Sequence, residues 1–502
     1  MIDYQNPVIK GYNPDPSICR VGEDYYIVTS TFEFFPGVPI YHSKNLVEWE
    51  LINHCLMRES QLNLKDCRNS GGIFAPTIRY YDGIFYMITT NVSDKGNFIV
   101  YTRDIRGEWS EPQWIDHRGI DPSLLFDDDG KVYYCGTHFD SGRQGIALFE
   151  VNPLTGEKLS ETVTISYGAG GKHPEAPHLY KINGYYYLMI AEGGTEYGHM
   201  ETIFRSKDPY GPYEPCPHNP ILSHRDFMGS PIQATGHADL VEDNNSNWWL
   251  VCLGIRPLPG RLLHNLGRET FLTPMTWDDN GWPVVGNEGT IDLEMEGDLP
   301  TTVTNNKSSV DFIDNFNNDT LKLDWNFIRN SKCENYSLTE KKGYLKITAG
   351  KETLNDSEPT FLGIRQKEFE LCAQTKVLLD FSGEDQKAGL TAFYNQDYHY
   401  EIYVTSEQGR DYVVLSKKVH DIEHVAEKVE IDYHGEIEFQ VETGKEDYIF
   451  SYRLQDEWIE LGSGKTAGLC TEGTMTMTFT GTYLGICASN AEAYFEYFSA
   501  KK

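Results

Sequence analysis

Four side chains able to move protons or hold a polar ligand recur at one matching place along the first half of the chain. Asp15 opens the segment Asp15-Pro16-Ser17-Ile18, Asp121 opens Asp121-Pro122-Ser123-Leu124, and His237 opens His237-Ala238-Asp239-Leu240. Ala75 opens the related Ala75-Pro76-Thr77-Ile78, and Glu175 stands one residue ahead of Ala176-Pro177-His178-Leu179. Two or three carboxyl groups brought into one pocket are what glycoside hydrolysis requires. One, protonated, gives its proton to the leaving oxygen, and a second, ionised, activates water or attacks the sugar carbon. A third nearby raises the acid's pKa by like-charge repulsion and orients its proton. The longer side chain of Glu175 suits the reach to a glycosidic oxygen, while Pro14 and Pro16 stiffen Asp15 and Pro122 stiffens Asp121. Asp-Pro-Ser is also a good turn opener. That plainer account serves for one motif but not for the set, whose variable residue is always an acid, a histidine or an alanine.

These residues converge only if the five segments are equivalent strands of a repeated unit. They are spaced by roughly 45–60 residues, with room in each interval for about four strands, which is the period of β-propeller blades. Turns such as Tyr81-Asp82-Gly83 and Asp129-Gly130 separate the strands within each interval. In a propeller the innermost strand of each blade lines the central channel, so the first residue of each segment is expected to face it. Beyond Trp282 the pattern changes. Residues 297–309 are polar and rich in Thr, Asn and Ser, and from Asp311 short alternating runs such as YLKITAG, QTKVLLDF and YHYEIYV read as a β-sandwich. The expected fold is therefore all-β. It comprises a five-bladed β-propeller over 1–298, a linker over 299–310 and a concanavalin- or jelly-roll-like β-sandwich over 311–502.

Composition bounds the partners. The formal net charge of −32 argues against nucleic acid, because phosphate contacts need clustered Lys and Arg. No apolar run approaches the roughly 18 residues of a membrane span, and the N-terminal segment carries no basic and apolar secretory signal. The ten cysteines are scattered, mostly in apolar contexts, with no C-x-x-C pair, so free buried thiols and a reducing cytoplasm are expected.

At this point the chain resembles a known family. The segments NPDPSICRVGEDYYIVTSTFEFFPGVPIYHSKNLVEW, GGIFAPTI, GIDPSLLFDDDGKVYY, HPEAPHLYKINGYYYL, TGHADLV and LGRETFL are similar to glycoside hydrolase family 43. More narrowly they resemble its two-domain β-xylosidase and α-L-arabinofuranosidase branch, whose sandwich domain is matched by FLGIRQKEFE and FTGTYLGICASN. The resemblance implies an inverting mechanism with Asp15 as general base, Glu175 as general acid and Asp121 as the carboxylate that tunes and orients the acid. It implies that Arg268 reaches the sugar hydroxyls and the carboxylates, and that Phe32 and Phe74 wall the sugar subsite. His237 matches a histidine linked to a calcium ion or other cation near the propeller axis, held largely through water. Tyr483 is the candidate for an aromatic that the sandwich sends into the site, the competing reading being a core residue of the sandwich.

The implied function is exo-acting release of terminal β-D-xylosyl groups from xylo-oligosaccharides, with a bifunctional enzyme included. The alternative is mainly α-L-arabinofuranosidase activity, and the remote one a non-catalytic carbohydrate-binding propeller. Three features tilt toward arabinofuranosyl groups: Phe74 stands where xylosidase members commonly carry Trp, and the segments 94–98 and 256–268 are short. Both segments follow strands expected at pocket level, so shortening them is expected to widen the pocket. The partner is a small oligosaccharide, and a homo-oligomer, dimer or tetramer, is expected.

Overall fold

The computed structural model describes residues 1–303, 310–330 and 332–502, so part of the expected linker, 304–309, lies outside the described residues. Among the described residues there is no α-helix, only three short 3₁₀ turns, and no helix long and apolar enough to cross a membrane. Five antiparallel sheets follow one another along the first part of the chain, each of four strands, except that the fourth takes a fifth short one. Their inner strands are Ser17–Val21, Thr77–Tyr81, Ser123–Phe126, Glu175–Ile182 and Gln233–Glu242. These are the five recurring segments, one per blade.

Period-two alternation explains how the blades stack, since neighbouring residues of a strand point to opposite faces. Met87 packs in the cluster shared with blade one and Ile88 in the cluster shared with blade three. Tyr134 and Tyr133 divide in the same way between blades two and four, and Leu188 and Met189 between blades three and five. The ring closes where blade five meets blade one, through Val251 and Leu272 against Ile18 and Ile27. The N-terminal strand Ile2–Gln5 pairs with Glu294–Gly297 outside the blades. Asn6 then reaches blade five, its Nδ2 donating to the Leu272 carbonyl at 2.9 Å and its Oδ1 accepting from the Leu272 amide at 2.9 Å.

The channel is plugged by polar chemistry. The Asp239 carboxylate, fully buried, accepts from Arg79 Nη1 at 2.8 Å, from Ser17 Oγ at 2.6 Å and from Tyr180 O–H at 2.6 Å. One buried carboxylate thus ties blades one, two, four and five.

The second part of the chain is a sandwich of a six-stranded and an eight-stranded sheet around one apolar core. Its junction with the propeller includes a two-stranded pairing of Phe34–Phe35 with Phe327–Ile328. An aromatic cluster of Tyr12, Phe32 and Phe34 from the propeller and Phe361, Phe393 and Tyr483 from the sandwich fills the space beside it.

Candidate active site

Backbone geometry repeats along with sequence. Asp15, Asp121, Ala176 and His237 all have left-handed backbone, with φ of 55°, 55°, 51° and 50°. For a residue with a Cβ this costs roughly 1–2 kcal/mol, and its recurrence at one place in four blades marks a position held for function rather than stability. In blades four and five it coincides with breaks in strand register, between Glu175 and His178 and on either side of Gly236. A bulge of this kind re-aims a side chain. In blade four the left-handed residue is Ala176, and the acid stands one position earlier at the start of the strand.

The first residues of the five segments, with Glu175, line one cavity of about 240 Å³. That is below the roughly 300–1,000 Å³ of pockets for drug-sized ligands and suits one sugar ring. Asp15 is buried and fully partnered: Arg268 Nη1 donates to its Oδ1 at 2.9 Å, Ser30 Oγ to its Oδ2 at 2.5 Å, and His237 Nδ1 lies 3.3 Å from Oδ1. Burial alone would raise its pKa, but Arg268, His237 and Ser30 together hold it below the usual carboxylate range. Burial likewise opposes charge on His237, and Asp15 outweighs it, so the imidazole's pKa is raised.

Asp121 and Glu175 lie on the other side of this balance. Burial pushes the Asp121 carboxyl up; His237 opposes this, and the charges of Glu175 and Asp15 raise it further. Burial also raises Glu175, against the hydrogen bond from Gln144 Nε2 to its Oε1 at 3.3 Å. One carboxylate held ionised thus faces a pair that retains a proton. This separation is what acid–base division of labour needs.

Arg268 forks between the two domains. Its Nη1 also donates to Thr195 Oγ1 at 3.0 Å and its Nη2 to the Phe479 carbonyl at 3.3 Å. Phe32 and Phe74 both line the cavity, their ring centroids 5.1 Å apart.

Tyr483 does not reach the cavity. It begins a strand, Tyr483–Ser489, every residue of which is buried, and its ring stacks on Phe34 at 4.1 Å in the domain junction. The aromatic that reaches the site is Phe479, four residues earlier, in the loop before that strand. Its ring stacks against Phe32 at 5.4 Å, its amide donates to Ser70 Oγ at 3.0 Å, and Met477 lines the cavity beside it. Phe479 belongs to the same quoted motif as Tyr483, but only the position of the strand start separates the two.

The short segments expected at pocket level also lie elsewhere. Residues 94–98 form a hairpin turn ending in Phe98, buried in the core between blades one and two. In 256–268, Arg261 pairs with Glu446 at 2.7 Å and Asn265 Nδ2 donates to Tyr448 O–H at 2.8 Å, so the segment docks on the sandwich. Of it, only Arg268 lines the cavity. Residues without a sequence signal also enter: Thr195, and His199, whose Nδ1 donates to the Ala234 carbonyl at 3.1 Å. A Cβ on Gly236 would come within 2.6 Å of the His199 ring, so glycine there makes the space for it.

The donor set does not suit a directly held calcium ion, which takes six to eight oxygens. His237 offers nitrogen, its Nδ1 already facing Asp15, and among the described residues no group of three or more His, Cys, Asp or Glu is placed to hold a metal ion.

Comparison with known proteins gives consistent matches. Residues 4–283 match the family described as glycosyl hydrolases family 43, and residues 313–501 match the β-xylosidase C-terminal concanavalin A-like domain. A non-reducing-end α-L-arabinofuranosidase of Bacteroides ovatus is 44% identical over 97% of this chain and 91% of its own length. A xylosidase/arabinosidase of Butyrivibrio fibrisolvens is 42% identical over 82% of this chain and 81% of its own. The solved structure of Bacteroides ovatus xyloglucan PUL GH43B superposes with a TM-score of 0.94 at 41% identity, covering all of both chains.

Proposed function

The chain belongs to glycosyl hydrolases family 43 and is an inverting glycoside hydrolase, and from that premise we propose that it removes single terminal pentosyl groups, β-D-xylosyl foremost, from short hemicellulose oligosaccharides. The observation that carries the reading is a one-sugar cavity holding an ionised carboxylate, Asp15, opposite the proton-retaining pair Asp121 and Glu175. In this reading Asp15 accepts a proton from a water that attacks the anomeric carbon. The bond from that carbon to the aglycone oxygen breaks, and Glu175 gives its proton to the departing oxygen. The products are a free sugar of inverted configuration and an oligosaccharide one residue shorter. In this reading Asp121, raised by burial and by the charge of Glu175, shares the retained proton with Glu175 and orients it, and Arg268 orients Asp15 and holds the cavity's sandwich-derived wall.

α-L-Arabinofuranosyl groups are the second reading. It is favoured by Phe74 in the wall and by the arabinofuranosidase named among the relatives. A comparison of kcat/KM on the p-nitrophenyl β-D-xylopyranoside and α-L-arabinofuranoside orders the two, and a tenfold preference for the arabinoside reverses the order given. Glu175→Ala tests the mechanism: turnover of unactivated xylo-oligosaccharide is expected to fall about 10²–10⁴-fold with sugar binding retained, and unchanged turnover refutes it. We extend the reading to a cytoplasmic site of action and a homo-oligomeric state. The ten free cysteines support a reducing compartment, and light scattering tests the assembly.

A further inference from the structure

The loop that delivers Glu175 has its own anchor. Residues 167–174 join the outer strand of blade three, Val163–Ser166, to the inner strand of blade four, and Ala169, Gly170, Lys172 and His173 are exposed. An exposed loop with two left-handed glycines, Gly168 and Gly170, has little of its own to fix its shape. Beneath it lies Glu192, fully buried at the end of strand Tyr185–Glu192 and absent from the cavity wall. Its Oε1 accepts from the Ala169 amide at 2.7 Å and from Thr202 Oγ1 at 2.8 Å, and its Oε2 accepts from the Gly171 amide at 2.7 Å. The next residue continues the clamp, the Gly193 amide donating to the Lys172 carbonyl at 2.7 Å. Contact is close enough to require glycine: a Cβ on Gly168 would come within 2.8 Å of the Glu192 carboxyl, and one on Gly171 within 2.8 Å of the Glu192 Cβ.

A buried carboxyl group with two backbone amides and a hydroxyl aimed at it is an acceptor site matched to its donors. It lies four residues upstream of the acid along a taut path, since His173 is left-handed and Pro174 fixes φ. At the far end, His173 Nδ1 meets Gln144 Oε1 at 3.2 Å, and Gln144 Nε2 bonds both the Pro174 carbonyl and Glu175 at 3.3 Å. Proton donation tolerates little displacement, because the acid must stand within hydrogen-bond reach of the departing oxygen. We infer that Glu192 is a positioning residue for the general acid, holding the 167–174 loop so that Glu175 stands at the glycosidic oxygen. The inference rests on the assignment of Glu175 as acid.

The test is a leaving-group series. Glu192→Gln keeps the side-chain volume but replaces one acceptor oxygen by a donor, leaving one loop amide unsatisfied. Aryl glycosides of the preferred sugar are assayed from 2,4-dinitrophenyl, whose phenolate leaves unprotonated, to unactivated oligosaccharide, which needs the proton. For Glu192→Gln the expected result is a loss of about tenfold or more on the unactivated substrate, a part of the ~10²–10⁴ that a general acid supplies, with the dinitrophenyl substrate within about threefold of the parent. An equal loss across the series, or none, overturns the inference. Gly171→Ala, whose Cβ would press the loop away from Glu192, provides the same readout should Glu192→Gln fail to fold. Glu175→Ala runs alongside. If it shows no leaving-group dependence, the acid assignment itself fails; if it shows the dependence and both loop variants lack it, only the positioning role fails.

Discussion

At the scale of single residues, the site is an arrangement of unequal carboxyl groups. Asp15 is drawn down by Arg268, His237 and Ser30, so it stays ionised across the neutral range. Asp121 and Glu175 are both raised, first by burial, and they retain a proton that is lost as pH rises. The sign of the pH dependence follows. The kcat/KM profile is expected to hold on the acid side and to fall on the alkaline side as the pair gives up its proton. Asp121→Asn removes a neighbouring negative charge, which makes Glu175 easier to ionise. Its alkaline limb is expected to move to lower pH, and a profile that stays in place or moves upward contradicts the role given to Asp121. The carboxyl groups were legible from sequence because Asp15 and Asp121 open a repeated segment and Glu175 stands one residue ahead of another. Gln144, which bonds Glu175, was less so, since it sits in no repeated motif and comes near only through folding.

At the scale of elements, strand boundaries decide which side chains serve the site. Left-handed residues just ahead of the inner strands, at Asp15 and Asp121, and at bulges within them, at Ala176 and His237, turn functional groups toward the axis that strict alternation would bury. In the sandwich the same rule works against the sequence reading. Tyr483 is the first residue of a wholly buried strand, whereas Phe479 in the preceding loop is free to lean into the cavity. The two substitutions should therefore separate. Phe479→Ala is expected to raise KM severalfold while the melting temperature stays near the parent's. Tyr483→Ala, which empties a fully buried site, should cost about 3–5 kcal/mol of stability, read as a lowered denaturation midpoint. Equal effects on KM from both would show that the wall extends to Tyr483 after all.

At the scale of the whole molecule, the second domain completes the first. Arg268 spans the junction from Asp15 to the Phe479 carbonyl, and Tyr12, Phe32, Phe34 and Tyr483 form one apolar cluster across it. A chain ended at residue 303 is expected to lose at least about 100-fold in kcat/KM, the scale of losing positioning contacts around a reacting centre. It should also expose the aromatic face of blade one and associate on gel filtration. Retained activity in a monomeric fragment would show that the sandwich is dispensable. The sequence by itself determined the repeat, the all-β class, the two-domain division and the three carboxyl groups, because period-two patterning and turn residues are local, and recurrence reveals which positions are equivalent. Only the tertiary structure decided that Phe479 rather than Tyr483 walls the pocket, that 256–267 docks on the sandwich, and that Glu192 bonds the loop ahead of Glu175. Each of these rests on contacts between residues distant in sequence or on the register at which a strand begins, which no local pattern records.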